Sequence, residues 1–326
     1  MTLWLRKARA ASAVLLLCLP FAGAQAETIT VTHFGAQFYG APYVVAREKG
    51  FFKEAGVDIS GFLTSTGGGT SVRNTLASDL PYGEVALAAA LEAIRAGQPL
   101  KIVNGGVESI GDILWIAKPD SPLNGIKDLV GKRVGFTAPG SVTNMVLLMS
   151  LKQAGLDPKS VQMVPAGGIG ANLSAVLTGA LDAAFTGEPV WTQERDKVKA
   201  VFWPKDLLGP DMTQTVGVVT EDFAKSHPDT IRAIIAARAK GVAYLYAHPD
   251  EAADMTAKAY NMDPKLARTV FQHLKELNWW GQGDLHYKGM DRMAEGLRIV
   301  GKLDNEVDWS KVVDTSFLPK ELQPKS

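Results

Sequence analysis

The stretch VDISGFLTSTGGGTSVRNTLAS, residues 57–78, decides the fold class of this chain. Residues 57–63 predict a β-strand, and residues 70–78 predict an α-helix. Gly67, Gly68 and Gly69 stand between them, where glycine lets the backbone turn tightly and approach a neighbour closely. A strand followed by a loop and a helix is the repeating unit of a parallel sheet, so we predict an α/β fold.

The same alternation extends in both directions from this stretch. Further strands are predicted at 28–32, 100–103, 113–117, 132–136, 161–164 and 183–186, and further helices at 41–55, 85–96, 141–154 and 171–178. These segments form two α/β units of about 100 residues each, each with a mainly parallel sheet flanked by helices. In the last third, Pro228, Pro249 and Pro264 predict three helix starts, because proline fits the first turn of a helix.

Composition excludes several classes of protein. The chain has 326 residues, with 34 Lys and Arg against 34 Asp and Glu, and a single Cys. A net charge of zero argues against a nucleic-acid partner, which requires a basic face. No apolar run reaches the roughly 18 residues of a membrane span. One Cys forbids an internal disulfide and a thiolate-rich metal site.

Residues 1–26 have the features of an export signal. Arg6, Lys7 and Arg9 precede the apolar stretch 10–21, and an A-x-A cleavage site stands at 24–26. We expect Glu27 to begin the mature protein and the periplasm to be its location. A lipid anchor on Cys18 is not expected, because no small residue precedes this cysteine.

Catalytic and metal-binding signatures are sparse. The five histidines form neither H-x-H nor H-E-x-x-H, and no G-x-S-x-G sequence occurs. We therefore predict no catalytic residue, no metal site and no cofactor.

Two loops instead predict ligand binding. Gly68, Gly69 and Thr70 begin the helix of the opening stretch, and the run Gly140, Ser141, Val142 and Thr143 begins a helix in the second unit. Helix starts offer free N–H donors and a partial positive charge to an anionic or hydrogen-accepting group. Each loop alone is also explained as an ordinary helix cap. Two equivalent loops in two units favour a ligand gripped from both sides, at the carboxyl ends of the strands.

Four further residues stand at strand ends. Gln37, Phe38 and Tyr39 offer an amide and two aromatic faces, although one of the rings is expected in the core. Glu188 could accept an N–H from a ligand or could simply face solvent.

Several motifs together resemble one known family. They are PYVVAREKGFF at 42–52, GVDI at 56–59, GQPLKIV at 97–103, KDLVGKRVG at 127–135, PGS at 139–141, GALDAA at 179–184 and EP at 188–189. In this order they are similar to the nitrate, sulfonate and thiamine-precursor branch of the type II periplasmic binding proteins. The resemblance covers residues 28–317.

The resemblance implies two lobes that close over a small molecule and deliver it to an ABC permease with its cytoplasmic ATPase. It implies residues 27–108 plus 218–326 as lobe one and residues 109–217 as lobe two. It adds Glu84, Asn104 and Gly167 to the ligand contacts named above. The sequence around Glu84 departs from the family pattern, in which an acidic residue is followed by a small one. The resemblance therefore supports a ligand contact at Glu84 less than at the other positions. The related eukaryotic pyrimidine synthases use a cysteine-rich motif, which this chain lacks.

The sequence therefore favours a monomeric solute-binding protein of an ABC importer. The preferred ligand is a small aromatic or heteroaromatic compound, and an aliphatic sulfonate is the alternative. A periplasmic enzyme on the same fold and a ligand-presenting subunit of a sensor are the rivals from other classes.

Overall fold

The computed structural model describes residues 27–65 and 67–324. The predicted signal peptide, residues 1–26, lies outside the described residues. The described chain forms two units, each built on a five-stranded mixed sheet with flanking helices. This arrangement confirms the predicted α/β fold class.

The first unit is built on the sheet β2-β1-β3-β10-β4. Its strands are β1 (Glu27–Thr32), β2 (Ile59–Ser65), β3 (Tyr82–Ala86), β4 (Leu100–Gly105) and β10 (Thr215–Thr220). β1 pairs in parallel with both β2 and β3, whereas β10 runs antiparallel to β3 and β4. The sheet is thus mainly parallel, with one reversed strand contributed from far along the chain.

The second unit is built on the sheet β7-β6-β8-β5-β9. Its strands are β5 (Leu114–Ala117), β6 (Arg133–Phe136), β7 (Gln162–Pro165), β8 (Ala183–Thr186) and β9 (Lys199–Phe202). β6 pairs in parallel with β7 and β8, and β5 runs antiparallel to β8 and β9. The chain passes between the sheets twice, through a first crossing (106–113) and a second crossing (203–214).

The helices follow the strands in the predicted order. They are α1 (Ala41–Glu48), α2 (Phe51–Glu54), α3 (Gly68–Leu76), α4 (Leu87–Arg95), α5 (Val142–Gln153), α6 (Ile169–Thr178), α7 (Val190–Glu194), α8 (Pro204–Leu208), α9 (Glu221–Ser226), α10 (Pro228–Ala247), α11 (Pro249–Tyr260), α12 (Pro264–Glu276), α13 (Tyr287–Ile299) and α14 (Trp309–Val312). The first residues of α10, α11 and α12 are the three prolines that the sequence analysis singled out, which confirms those helix starts.

Two element predictions were wrong in detail. The predicted helix at 41–55 is interrupted at Gly50, whose φ of 77° only glycine adopts without strain. The predicted helix at 85–96 begins only at Leu87, because residues 82–86 form β3. Position 83 requires glycine, because a Cβ atom there would lie only 2.3 Å from Thr75 Oγ1. α3 therefore packs closely against β3 at this position.

A buried ion pair joins α10 to the middle of the first sheet. Arg238 Nε lies 2.9 Å from Glu84 Oε2, and the two side chains are 1% and 0% exposed. Thr215 Oγ1 donates to Glu84 Oε1 at 2.8 Å, and Arg238 Nη1 donates to the carbonyl of Gly281 at 2.9 Å. Burial opposes the charge on Arg238, but Glu84 together with Tyr43 and Tyr82 more than offsets it, so the pKa of the guanidinium lies above its usual value.

We predict that Arg238→Met lowers the free energy of unfolding by about 3–5 kcal/mol, because it leaves the Glu84 carboxylate buried without a counter-charge. Urea unfolding followed by circular dichroism measures this loss. Arg268→Met is the matched control: Arg268 pairs with Asp254 at the surface, where water screens the charges, and its unfolding midpoint should stay close to that of the wild type. Equal losses in the two variants would contradict this account of the fold.

Candidate functional site

A cavity of about 650 Å³ lies between the two units. Its walls come from loops at the carboxyl ends of strands in both sheets, which is where ligands bind in open α/β sheets. Nine residues predicted from the sequence line it, namely Gln37, Tyr39, Gly68, Gly69, Thr70, Gly140, Ser141, Val142 and Thr143. The structure therefore brings the two glycine- and hydroxyl-rich loops to opposite walls of one space.

The wall of the first unit is the start of α3. Gly68 packs so closely on the end of β3 and the start of α4 that a Cβ atom would lie 2.9 Å from Ala86 and 2.8 Å from Ala89. The absence of a side chain thus lets the first turn of α3 lie directly against α4 at the cavity. Arg73, one turn further along α3, also lines the cavity and donates from Nη2 to Thr70 Oγ1 at 2.9 Å.

The wall of the second unit is the start of α5. Ser141 is the N-cap, and its hydroxyl accepts from the N–H of Asn144 at 3.2 Å. Thr143 Oγ1 accepts from the N–H of Thr137 at 2.9 Å, which ties the helix start to the end of β6. Gly140 has a φ of 74°, so the sharp turn before the cap requires glycine.

The floor of the cavity is a buried hydrogen-bond chain. Tyr39 donates its hydroxyl to Gln214 Oε1 at 2.7 Å, and Gln214 Nε2 donates to Asp112 Oδ1 at 3.1 Å. The same oxygen of Asp112 accepts from Trp279 Nε1 at 2.8 Å. Burial raises the pKa of Asp112 to about 6. The Tyr39 ring also packs on Trp279 with a centroid distance of 4.9 Å.

His33 gives the cavity a neutral imidazole. It follows β1 with a φ of 51°, and its ring lies 6.1 Å from that of Tyr39. Burial lowers the pKa of His33 to about 4, so the ring is uncharged at neutral pH. It can therefore donate from one ring nitrogen and accept at the other.

Phe38 does not line the cavity. Its side chain is fully buried, stacked on Tyr260 at 5.7 Å and edge-on to Phe271 at 5.3 Å. The hydrophobic effect places this ring in the core between α1 and the C-terminal helices, so it has no face free for a ligand. Tyr39, the next residue, points to the cavity instead.

Four other predicted contacts also lie away from the cavity. Glu84 is held by Arg238, as described above. Asn104 is fully buried, accepting from the Tyr82 hydroxyl at 2.9 Å and donating to the carbonyl of Gly105 at 2.8 Å. The carbonyl of Gly167 accepts from Asn172 Nδ2 at 2.8 Å. Glu188 is 2% exposed and contacts His273 on α12.

Sequence reasoning missed several lining residues. Arg73 is not among these: the sequence places it one turn into the helix, as the one basic residue near a predicted strand-end loop, with exposure to solvent as the alternative. In the structure it lines the cavity on the same helix face as Gly69, four residues earlier. His33 and Gln214 also line the cavity. Gln214 gave no signal because it directly precedes β10, a strand that the sequence analysis did not identify.

One cluster of side chains has residue types that can bind a metal, although the sequence predicts no metal site. Ligand atoms of Glu108, Asp284 and His286 lie within 4.8 Å of one another. His286 Nε2 is 2.7 Å from Asp284 Oδ2, and His286 Nδ1 is 3.1 Å from Glu108 Oε2. The imidazole thus lies between two carboxylates, with a hydrogen bond to Asp284 and an ion-pair contact to Glu108.

Comparisons with known proteins agree on one family. A family profile described as NMT1/THI5 like matches residues 37–252. A putative aliphatic sulfonates-binding protein of Bacillus subtilis is 25% identical over 302 residues, covering 90% of this chain and 88% of the relative. A 4-amino-5-hydroxymethyl-2-methylpyrimidine phosphate synthase of Legionella pneumophila is 24% identical over 300 residues, covering 86% and 89%. The alkanesulfonate-binding protein of Xanthomonas axonopodis pv. citri bound to MOPS superposes with a TM-score of 0.73 at 16% identity, covering 90% of this chain and 99% of that one.

Because Phe38 is a core residue, we predict that Phe38→Ala lowers the free energy of unfolding by about 3–5 kcal/mol, the usual cost of a cavity left by a buried ring. Phe38→Leu keeps most of the volume and should cost clearly less. Thermal and urea unfolding of both variants measure the difference. Wild-type stability in Phe38→Ala would contradict the placement of this ring in the core.

Proposed function

The chain belongs to the NMT1/THI5-like family, and from this premise we propose that it is the solute-binding component of an ABC importer. Its structural likeness to the solved alkanesulfonate-binding protein shows the two-lobed fold of the type II periplasmic binding proteins. In the proposal, residues 27–108 plus 218–326 form lobe one and residues 109–217 form lobe two. The lobes close on a small molecule and present it to a permease with its cytoplasmic ATPase.

The observation that supports this proposal most directly is the shared cavity. The N-termini of α3 and α5 face it from opposite units, so a ligand between them contacts both sheets at once. Such a ligand gains binding energy only where the two walls are close together. Binding therefore favours the closed arrangement, as a transport protein requires.

The cavity favours an organic anion. Arg73 adds a positive charge to the partial charges of the two helix starts, so an acidic group on the ligand would be neutralised there. Glu92 also lines the cavity, but its carboxylate lies 3.3 Å from Lys302 Nζ. Tyr39 and Phe185 offer aromatic surface to the rest of the ligand.

We therefore prefer an aromatic acid among the aromatic and heteroaromatic compounds that the sequence favours. A cavity of about 650 Å³ is within the usual range for small organic ligands. An aliphatic sulfonate is the alternative, supported by the name of the Bacillus subtilis relative, that of an aliphatic sulfonates-binding protein. Both would place an acidic group near Arg73 and the helix starts, and they differ in the body that contacts Tyr39 and Phe185.

The rival proposal is an enzyme on the same fold. It is supported by the Legionella pneumophila relative, whose name is that of a synthase. Mass spectrometry separates the two: a binding protein returns its bound compound unchanged, whereas an enzyme returns a product.

The proposed location is the periplasm, with a monomeric protein released after cleavage before Glu27. Among residues 27–65 and 67–324, no helix is both long enough and apolar enough to cross a bilayer.

We predict that benzenesulfonate raises the melting temperature of the protein and binds more tightly than ethanesulfonate, which carries the same acidic group on an aliphatic body. Arg73→Gln should weaken binding of both by about ten- to a hundredfold, because it removes a charge-assisted hydrogen bond. Isothermal titration calorimetry measures the affinities. Arg133→Gln is the matched control, since Arg133 pairs with Asp182 at the surface and does not line the cavity.

Three outcomes are decisive. Tighter binding of ethanesulfonate would favour the aliphatic alternative. Equal effects of Arg73→Gln and Arg133→Gln would contradict the proposed anion site. No binding by any sulfonate, aromatic acid or pyrimidine would contradict the proposed function.

A further inference from the structure

Glu188 contacts a histidine from the other unit. It follows β8 in the second unit, and its Oε1 lies 2.7 Å from Nδ1 of His273 on α12. The Glu188 side chain is 1% exposed and the His273 side chain 29% exposed. The pair is thus a nearly buried carboxylate facing an imidazole that water can still reach.

The two partners are anchored on opposite sides of the cleft. Glu188 Oε1 also accepts from Thr192 Oγ1 at 2.9 Å, which fixes the carboxylate to α7 of the second unit. α12 packs on the first unit, where Phe271 lies edge-on to Phe38 at 5.3 Å. Separation of the two units would pull Glu188 and His273 apart, while each keeps the contacts within its own unit.

The charges around His273 are few among the described residues. Its hydrogen bond to Glu188 is the largest influence and raises the pKa of His273 above its usual value. Partial burial and Lys205 oppose this rise, whereas Asp112 adds to it. The closed arrangement therefore favours the charged imidazole, which donates to the carboxylate.

We propose that Glu188 and His273 form a proton-operated latch, which holds the two units closed when His273 is protonated and weakens when the proton is lost. The latch is a regulatory feature of the solute-binding site and rests on the proposed function. It predicts that solute capture is tighter at mildly acidic pH.

The direction of the pH dependence of closure follows from thermodynamic linkage. In the open form His273 is solvated, with a pKa near the ordinary value of about 6.5, whereas in the closed form its pKa is raised. The Glu188–His273 pair therefore contributes fully to the free energy of closure below about pH 6.5. This contribution is lost as the pH rises through the raised pKa of His273. His33, with its pKa of about 4, stays neutral throughout this window.

Small-angle X-ray scattering of the ligand-free protein at pH 6.0 and pH 8.5 tests the latch. We expect a smaller radius of gyration at pH 6.0 in the wild type. His273→Gln and Glu188→Gln should show no such change, and His273→Lys, which stays charged, should be compact at both values. His227→Gln is the matched control, because His227 is exposed and lies between α9 and α10. The radius of gyration of this variant should change with pH as that of the wild type does. Asp112, His286 and Glu108, whose pKa burial raises to about 7, also titrate and are present in every variant.

Calorimetry with benzenesulfonate, whose charge is constant over this range, gives the second readout. The dissociation constant should be about two- to tenfold lower at pH 6.0 than at pH 8.5 in the wild type, and His273→Gln should remove the difference. A radius of gyration that is independent of pH in the wild type, or that changes equally in His273→Gln, overturns the latch. If the radius changes as expected but no solute binds, the proposed function fails and the latch stands.

Discussion

The buried carboxylate of Asp112 aligns three separate segments of the chain. It lies on the first crossing, it is 1% exposed, and it accepts hydrogen bonds from Gln214 on the second crossing and from Trp279 after α12. A buried carboxylate without donors is costly, so each of these segments must keep its position for the fold to be stable. The point at which the chain passes between the sheets is therefore fixed by hydrogen bonds.

The functional architecture follows from this fixed point. Gln214 also accepts a hydrogen bond from Tyr39, so the floor of the cavity and the crossings share one set of hydrogen bonds. The carboxyl ends of the parallel strands then face each other above this floor, and the starts of α3 and α5 form the two walls. Trp279 follows α12 closely, so the helix that carries His273 is tied to the same carboxylate.

Local features of the structure could be predicted from the sequence, and features that depend on tertiary packing could not. Glycine loops and proline helix starts determine their own backbone, and for this reason the walls of the cavity were found. The last two residues of β3, Val85 and Ala86, were taken for the start of a helix, because they continue into the apolar residues of α4 without a break. Phe38 and Glu188 stand at strand ends as ligand contacts would, but the C-terminal helices cover both. No local pattern reveals which helix packs over which loop.

Hydrogen–deuterium exchange with and without benzenesulfonate tests the central claim, that one ligand is held by the helix starts of both units. The account predicts that amides at 68–73 and at 141–145 become protected together and at the same ligand concentration, because both segments line one cavity. Protection of only one segment, or protection confined to other parts of the chain, would contradict it.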